Sequence, residues 1–96
     1  MTGVEMIAKE RARQVVEEGR TAEHDDDHWH SELALAAASY AMPLADRQMT
    51  TGGLCPKWWP WEWRSWKPTP DDRVRELVKA GALIAAEIDR LQRLTR

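Results

Sequence analysis

An all-α fold is expected for this chain: a small three-helix domain with a long tryptophan- and proline-rich connection between helices 2 and 3. Two observations carry that expectation. Apolar residues recur at helical spacing over residues 4–18, 27–41 and 70–94. Between the second and third segments, Pro43, Pro56, Pro60 and Pro68 prevent any long helix over 43–68. A chain of 96 residues is one domain, and at this size only about 60–65% of the unfolded surface is hidden on folding, so its own core is small.

In the first segment Val4, Ile7, Ala8, Ala12, Val15 and Val16 form the apolar face, and Gly19 supplies a C′ stop. The opposite face carries Glu10, Arg11, Arg13 and Gln14, most simply read as solvated charge. The stretch Glu23-His24-Asp25-Asp26-Asp27-His28-Trp29-His30 follows, with all three histidines and three consecutive aspartates. Carboxylates there favour a helix N-terminus, with Asp26 or Asp27 as the cap. Extending that helix to Ala41 places Trp29, Leu33, Ala36, Ala37 and Tyr40 on one face, and the run Leu33 to Ala41 is small enough for another helix to approach closely. Pro43 ends it.

The connection holds five of the six tryptophans, Trp58, Trp59, Trp61, Trp63 and Trp66. Such aromatic density argues for an ordered loop, because disordered segments are poor in aromatics. The indoles read either as core, closing the ends of the helices, or as a stacking surface; most are assigned to core, with Trp61 and Trp66 kept as candidates for a ligand. The last helix has Thr69 as its expected N-cap and Pro70 at its first position. Val74, Leu77, Val78, Gly81, Ile84, Ala85, Ile88, Leu91 and Leu94 form one stripe along it. Its length, roughly 37 Å, exceeds what such a domain needs, so homo-oligomerisation through its far end is expected. Gly81 suggests close approach to the alanine face of the second helix.

Charged residues are 31% of the chain and nearly cancel to −2, which gives no strong nucleic-acid signal. The longest apolar run is about half of the ~20 residues a membrane span requires. The lone Cys55 and the charged N-terminal pattern, which has no apolar leader region, point to the cytoplasm.

Chemistry has few handles. His24, His28 and Glu32 stand at i, i+4 and i+8 and would align as weak metal candidates on a continuous helix. Capping explains the same residues without a metal. The paired Glu-x-x-Glu and Glu-x-x-Asp spacing of an all-α nucleotide pyrophosphohydrolase is not formed, no phosphate-binding glycine loop is present, and no cofactor motif or catalytic set stands out. A binding reading remains: an indole stacked on a planar ring, with Arg11, Arg13 and Lys67 answering phosphates.

Taken together, Glu10-Arg11-Ala12-Arg13-Gln14, Glu23-His24-Asp25-Asp26-x-His28, Glu32-Leu33-Ala34, Trp59-Pro60-Trp61-Glu62, Trp66-Lys67-Pro68 and Arg75 to Ile84 resemble a family of small accessory proteins of bacteriophages and prophages. The resemblance covers nearly the whole chain. Ser31 stands where glycine is expected, and Glu62 where aspartate is common. It implies a non-catalytic counter-defence factor in the host cytoplasm. Such a factor would either bind a nucleotide-like signal in a pocket lined by Arg11, Arg13, His24, Asp26, His28, Trp61, Trp66 and Lys67, or inhibit a host defence protein. A metal-dependent nucleotide phosphohydrolase centred on His24, His28 and Glu32 is the third reading.

Overall fold

A computed structural model describes residues 1–19 and 31–94 and is all-α, with three helices and no strand among the described residues. Helix α1 spans Gly3–Glu17. Thr2 and Glu5 close a reciprocal capping box at its start, the Glu5 amide donating to Thr2 Oγ1 at 3.2 Å and the Thr2 amide to Glu5 Oε1 at 2.9 Å. Gly19, at φ 67°, supplies the left-handed stop that its place after the helix predicts.

Helix α2 spans Glu32–Ala41, shorter than the expected 27–41. Ser31 has φ 64° and ψ 27°, a left-handed backbone that no α-helix can run through, so the helix starts after it. Residues 27–30 lie outside the described part. Met42 is extended ahead of Pro43, as the restriction before proline requires.

Helix α3 spans Arg73–Leu94, and here the expected start is corrected. Thr69 to Asp72 form a turn, with the Asp72 amide donating to the Thr69 carbonyl at 2.8 Å. Pro70 therefore serves a turn and not a first helical position. Asp72 is the cap: its Oδ1 accepts from the Arg75 amide at 3.0 Å.

The connection is ordered by short-range pairing. Met49 and Pro56 form an isolated antiparallel bridge around a turn in which Gly52 and Gly53 take positive φ. Two single 3-10 turns, Leu44–Asp46 and Trp63–Ser65, complete it.

Helix α3 packs against both other helices. The core joins Leu33, Ala36, Ala37 and Tyr40 of α2 to Ala80, Leu83 and Ala86 of α3, under Cys55, Trp59 and Trp66 from the connection. Tyr40 stacks on Trp66 at 4.5 Å between centroids and meets Trp59 edge-on at 5.5 Å. Two of the five loop indoles are thus buried, Trp61 is half-buried, and Trp58 and Trp63 are 47% and 42% exposed.

A buried ion pair ties the connection to the helices. Arg47 donates from Nη2 to Glu76 Oε1 at 2.9 Å and from Nη1 to Oε2 at 3.1 Å, both side chains being almost wholly buried. The same guanidinium donates to the carbonyls of Ser39 and Tyr40, and Arg73 to those of Tyr40, Ala41 and Met42. The carbonyls left open at the end of α2 are satisfied by two arginines, both of which pair with Glu76.

Two expectations about faces are reversed. Glu10 and Gln14, read as solvated, are 2% and 3% exposed, because α1 turns that side to α3. Val4 and Val16, read as packing residues, are exposed. On α3, Val74, Leu77, Ile84, Ile88, Leu91 and Leu94 are also exposed, whereas Glu76, Glu87 and Arg90 face inward. Gly81 approaches α1 and not α2: a Cβ there would stand 2.5 Å from Ile7 Cδ1.

Candidate functional site

The inward face of α1 and one ridge of α3 build a small charged cavity. Glu10, Arg13 and Gln14 lie three and four residues apart, so they share a side of α1, and Glu18 follows at its end. Arg75, Lys79 and Leu83 stand at successive i+4 positions on α3. Tyr40 of α2, with Ser65 and Lys67 of the connection, completes the walls of a hollow of about 140 Å³.

Its electrostatics are organised by Glu10. Arg13 donates to Glu10 from Nε at 2.8 Å and Nη2 at 2.7 Å, and Arg75 Nη1 reaches the same carboxylate at 2.8 Å. Burial pushes the Glu10 pKa up, but hydrogen bonds and charge from Arg13 and Arg75 outweigh it and hold the group below the ordinary glutamate value. Arg13 also pairs with Glu17 and Glu18, and these carboxylates raise its pKa further. Lys79 is shifted the other way: burial, then the neighbouring Arg75 charge, lower its pKa. Its Nζ donates to the Lys67 carbonyl at 2.8 Å and lies 5.3 Å from the Tyr40 ring. The walls hold four basic side chains against two carboxylates. The Gln14 amide nitrogen donates to Glu10 at 3.2 Å, while its buried Oε1 has no hydrogen-bond partner.

A second, larger hollow of about 410 Å³ shares Glu10, Arg13 and Arg75 with the first and is lined on its apolar side by Met1, Met6, Val74 and Val78. One wall of ion pairs separates the two.

Of the expected ligand residues, the structure brings Arg13 and Lys67 together at the cavity. Arg11 is half-buried on α1 and does not line it. Trp66 sits behind the wall, buried against Tyr40 with Arg47 5.3 Å from its ring, and Trp61 packs edge-on to Trp59 at 5.3 Å. His24, Asp26 and His28 lie outside the described residues. Glu32 is the first residue of α2, and left-handed Ser31 breaks the continuous helix on which its alignment with His24 and His28 depended. Among the described residues no cluster of three or more metal-ligating side chains occurs. Sequence reasoning missed Gln14, Tyr40, Arg75 and Lys79 as a set. The four-residue step from Arg75 to Lys79 was a signal, but only the pairing of α1 with α3 gives it a meaning.

Comparison with protein-family models, curated proteins and solved structures finds no match.

Proposed function

We propose that the chain is a non-catalytic binding protein for a phosphate-bearing, nucleotide-like ligand, acting in phage counter-defence as its sequence resemblance implies. The observation that carries this reading is the cavity between α1, α3 and the tryptophan connection, where Arg13, Lys67, Arg75 and Lys79 converge on a space of about 140 Å³. That volume is about half of a small ligand pocket's ~300 Å³ minimum. It suits a phosphoryl group rather than a whole nucleotide. The base and sugar would extend over the ion-pair wall toward the apolar hollow of Met1, Met6, Val74 and Val78. Gln14 Oε1 would accept a hydroxyl or amino hydrogen from the same ligand. Lys79, short of counter-charge, gains most from an anion. Self-association is the one protein contact kept in this reading, through the last helix.

Calorimetric titration with linear and cyclic adenine and guanine nucleotides, and with inorganic phosphate, tests it. Binding is expected to weaken at least tenfold in Lys79→Met and to survive Trp63→Ala. Absence of heat with every nucleotide and with phosphate would refute the reading.

A second reading, inhibition of a host defence protein, is favoured by exposed Trp58 and Trp63. Each carries a cation near its ring, Lys57 at 5.4 Å and Arg64 at 4.7 Å, and such Trp and Arg side chains dominate protein-binding hot spots. Retention of a host protein in the presence of excess nucleotide, lost in Trp58→Ala/Trp63→Ala, would select this reading.

A further inference from the structure

Helix α3 buries one side, where Val78, Ala80, Ala82, Leu83 and Ala86 join the core, and leaves a second apolar side uncovered. Its inward side carries Glu76, Glu87 and Arg90, at 1%, 8% and 4% exposure, while Val74, Leu77, Ile84, Ile88 and Leu91 stand 46–55% exposed. With Gly81, these positions follow one another at steps of three, four, three, four and three residues. That is the a/d seam along which a second helix packs at a shallow left-handed crossing. Position 81 has no side chain, and Ile7 of α1 fills the notch.

We infer that this seam is the contact for a second copy of the chain, joined through a two-fold axis with the two α3 helices antiparallel. Four observations select that occupant. The series of steps reads identically from either end, so an antiparallel copy sets Val74 against Leu91 of the partner subunit and Leu77 against Ile88 of the partner subunit. The antiparallel arrangement also brings acidic Asp71 and Asp72 at the start of α3 beside the basic end of the other copy, whereas a parallel one sets the acidic ends together. The five exposed residues present on the order of 400 Å² of largely apolar surface on each protomer. This is about half of the ~800 Å² a standard interface takes from each partner, with flanking residues to supply the rest. The undescribed residues 20–30 of the same chain are mostly charged or imidazole-bearing, with Trp29 their one large apolar group, which is the wrong composition to cover five aliphatic side chains.

The seam shares Val74 with the apolar hollow, but Ile84 and Ile88 lie across α3 from Arg75, Lys79 and Leu83 and line neither hollow, so substitutions there test dimer formation separately from ligand binding. Analytical ultracentrifugation of the full chain at about 50 µM is expected to give twice the 11.1 kDa chain mass. Ile84→Glu and Ile88→Glu are expected to give the single-chain mass with unchanged far-ultraviolet circular dichroism, because both side chains already face outward within one chain. Val16→Glu, on the exposed side of α1, is expected to remain dimeric. A wild-type chain that sediments as a monomer overturns the inference, as does a wild-type assembly whose mass is unchanged by both seam substitutions.

Discussion

Ser31 and Glu76 show what single residues cost and contribute here. Ser31 holds φ 64°, a conformation that costs an ordinary L-residue about 1–2 kcal/mol and glycine almost nothing. Glycine also loses more freedom on folding, so Ser31→Gly is expected to stabilise the chain by a net ~0.5–1 kcal/mol, seen as a rise in melting temperature. Glu76 receives Arg47, Arg73 and the Thr69 amide while 1% exposed. Removing its charge leaves Arg47 buried without a counter-ion. Glu76→Gln is expected to cost about 3–5 kcal/mol in denaturant unfolding, more than any surface charge. Neither residue announces this in the sequence. Ser31 was legible only through the resemblance, and Arg47 and Glu76 are 29 positions apart, with a turn-rich connection between them.

At the scale of elements, the existence of three helices was legible and two of their starts were not. The periodic runs and the stops at Gly19 and Pro43 act within a few residues, so the sequence displays them directly. The start of α3 is different because Thr69 and Asp72 are both good caps and Pro70 fits either a helix or a turn. What decides is tertiary: the Thr69 amide donates to Glu76 Oε2 at 3.2 Å, holding Thr69 in the turn and leaving Asp72 to cap. Asp72→Ala is therefore expected to cost ~1 kcal/mol by thermal or denaturant unfolding. Thr69→Ala should cost less, since its backbone amide remains.

The faces of α1 and α3 mislead for a related reason. Helical periodicity locates an apolar stripe but does not say whether that stripe meets the same chain or another. Here Leu33, Tyr40 and the alanines of α2, Leu83 of α3 and the indoles of Trp59 and Trp66 fill the interior beside the paired charges Glu10, Glu76, Glu87 and Arg90, and the aliphatic seam is left outside. Of the cavity, Arg13 and Lys67 could be picked out as phosphate-answering cations. Their convergence with Arg75, Lys79, Gln14 and Tyr40 required the packing of all three helices and the connection.

For the whole molecule, two buried carboxylates set the acid limit. Burial raises the pKa of Glu10 and Glu76, but Arg13 with Arg75, and Arg47 with Arg73 and the Thr69 amide, bring both below the ordinary glutamate value. The folded chain thus binds fewer protons than the unfolded one as pH falls past that value. Their stabilisation is complete above the ordinary glutamate range and is lost as pH drops through the depressed folded values. Melting temperature is expected to be flat from neutral pH to about 5 and to fall steeply below 4.5, the unperturbed value. Glu10→Gln should lower the plateau and flatten the fall, whereas Glu5→Gln at the exposed start of α1 should change the curve little.

In the proposed mode of binding, the phosphate end of a ligand enters the cavity under Gln14 and Lys79. Amide and indole nuclear magnetic resonance during titration with a nucleoside diphosphate tests it most directly. The side-chain amide of Gln14 and the backbone amides of Lys67 and Lys79 are expected to shift together with a single affinity, with the Trp58 and Trp63 indoles unmoved. Shifts confined to Trp58 and Trp63, with Gln14 and Lys79 silent at saturation, would contradict it.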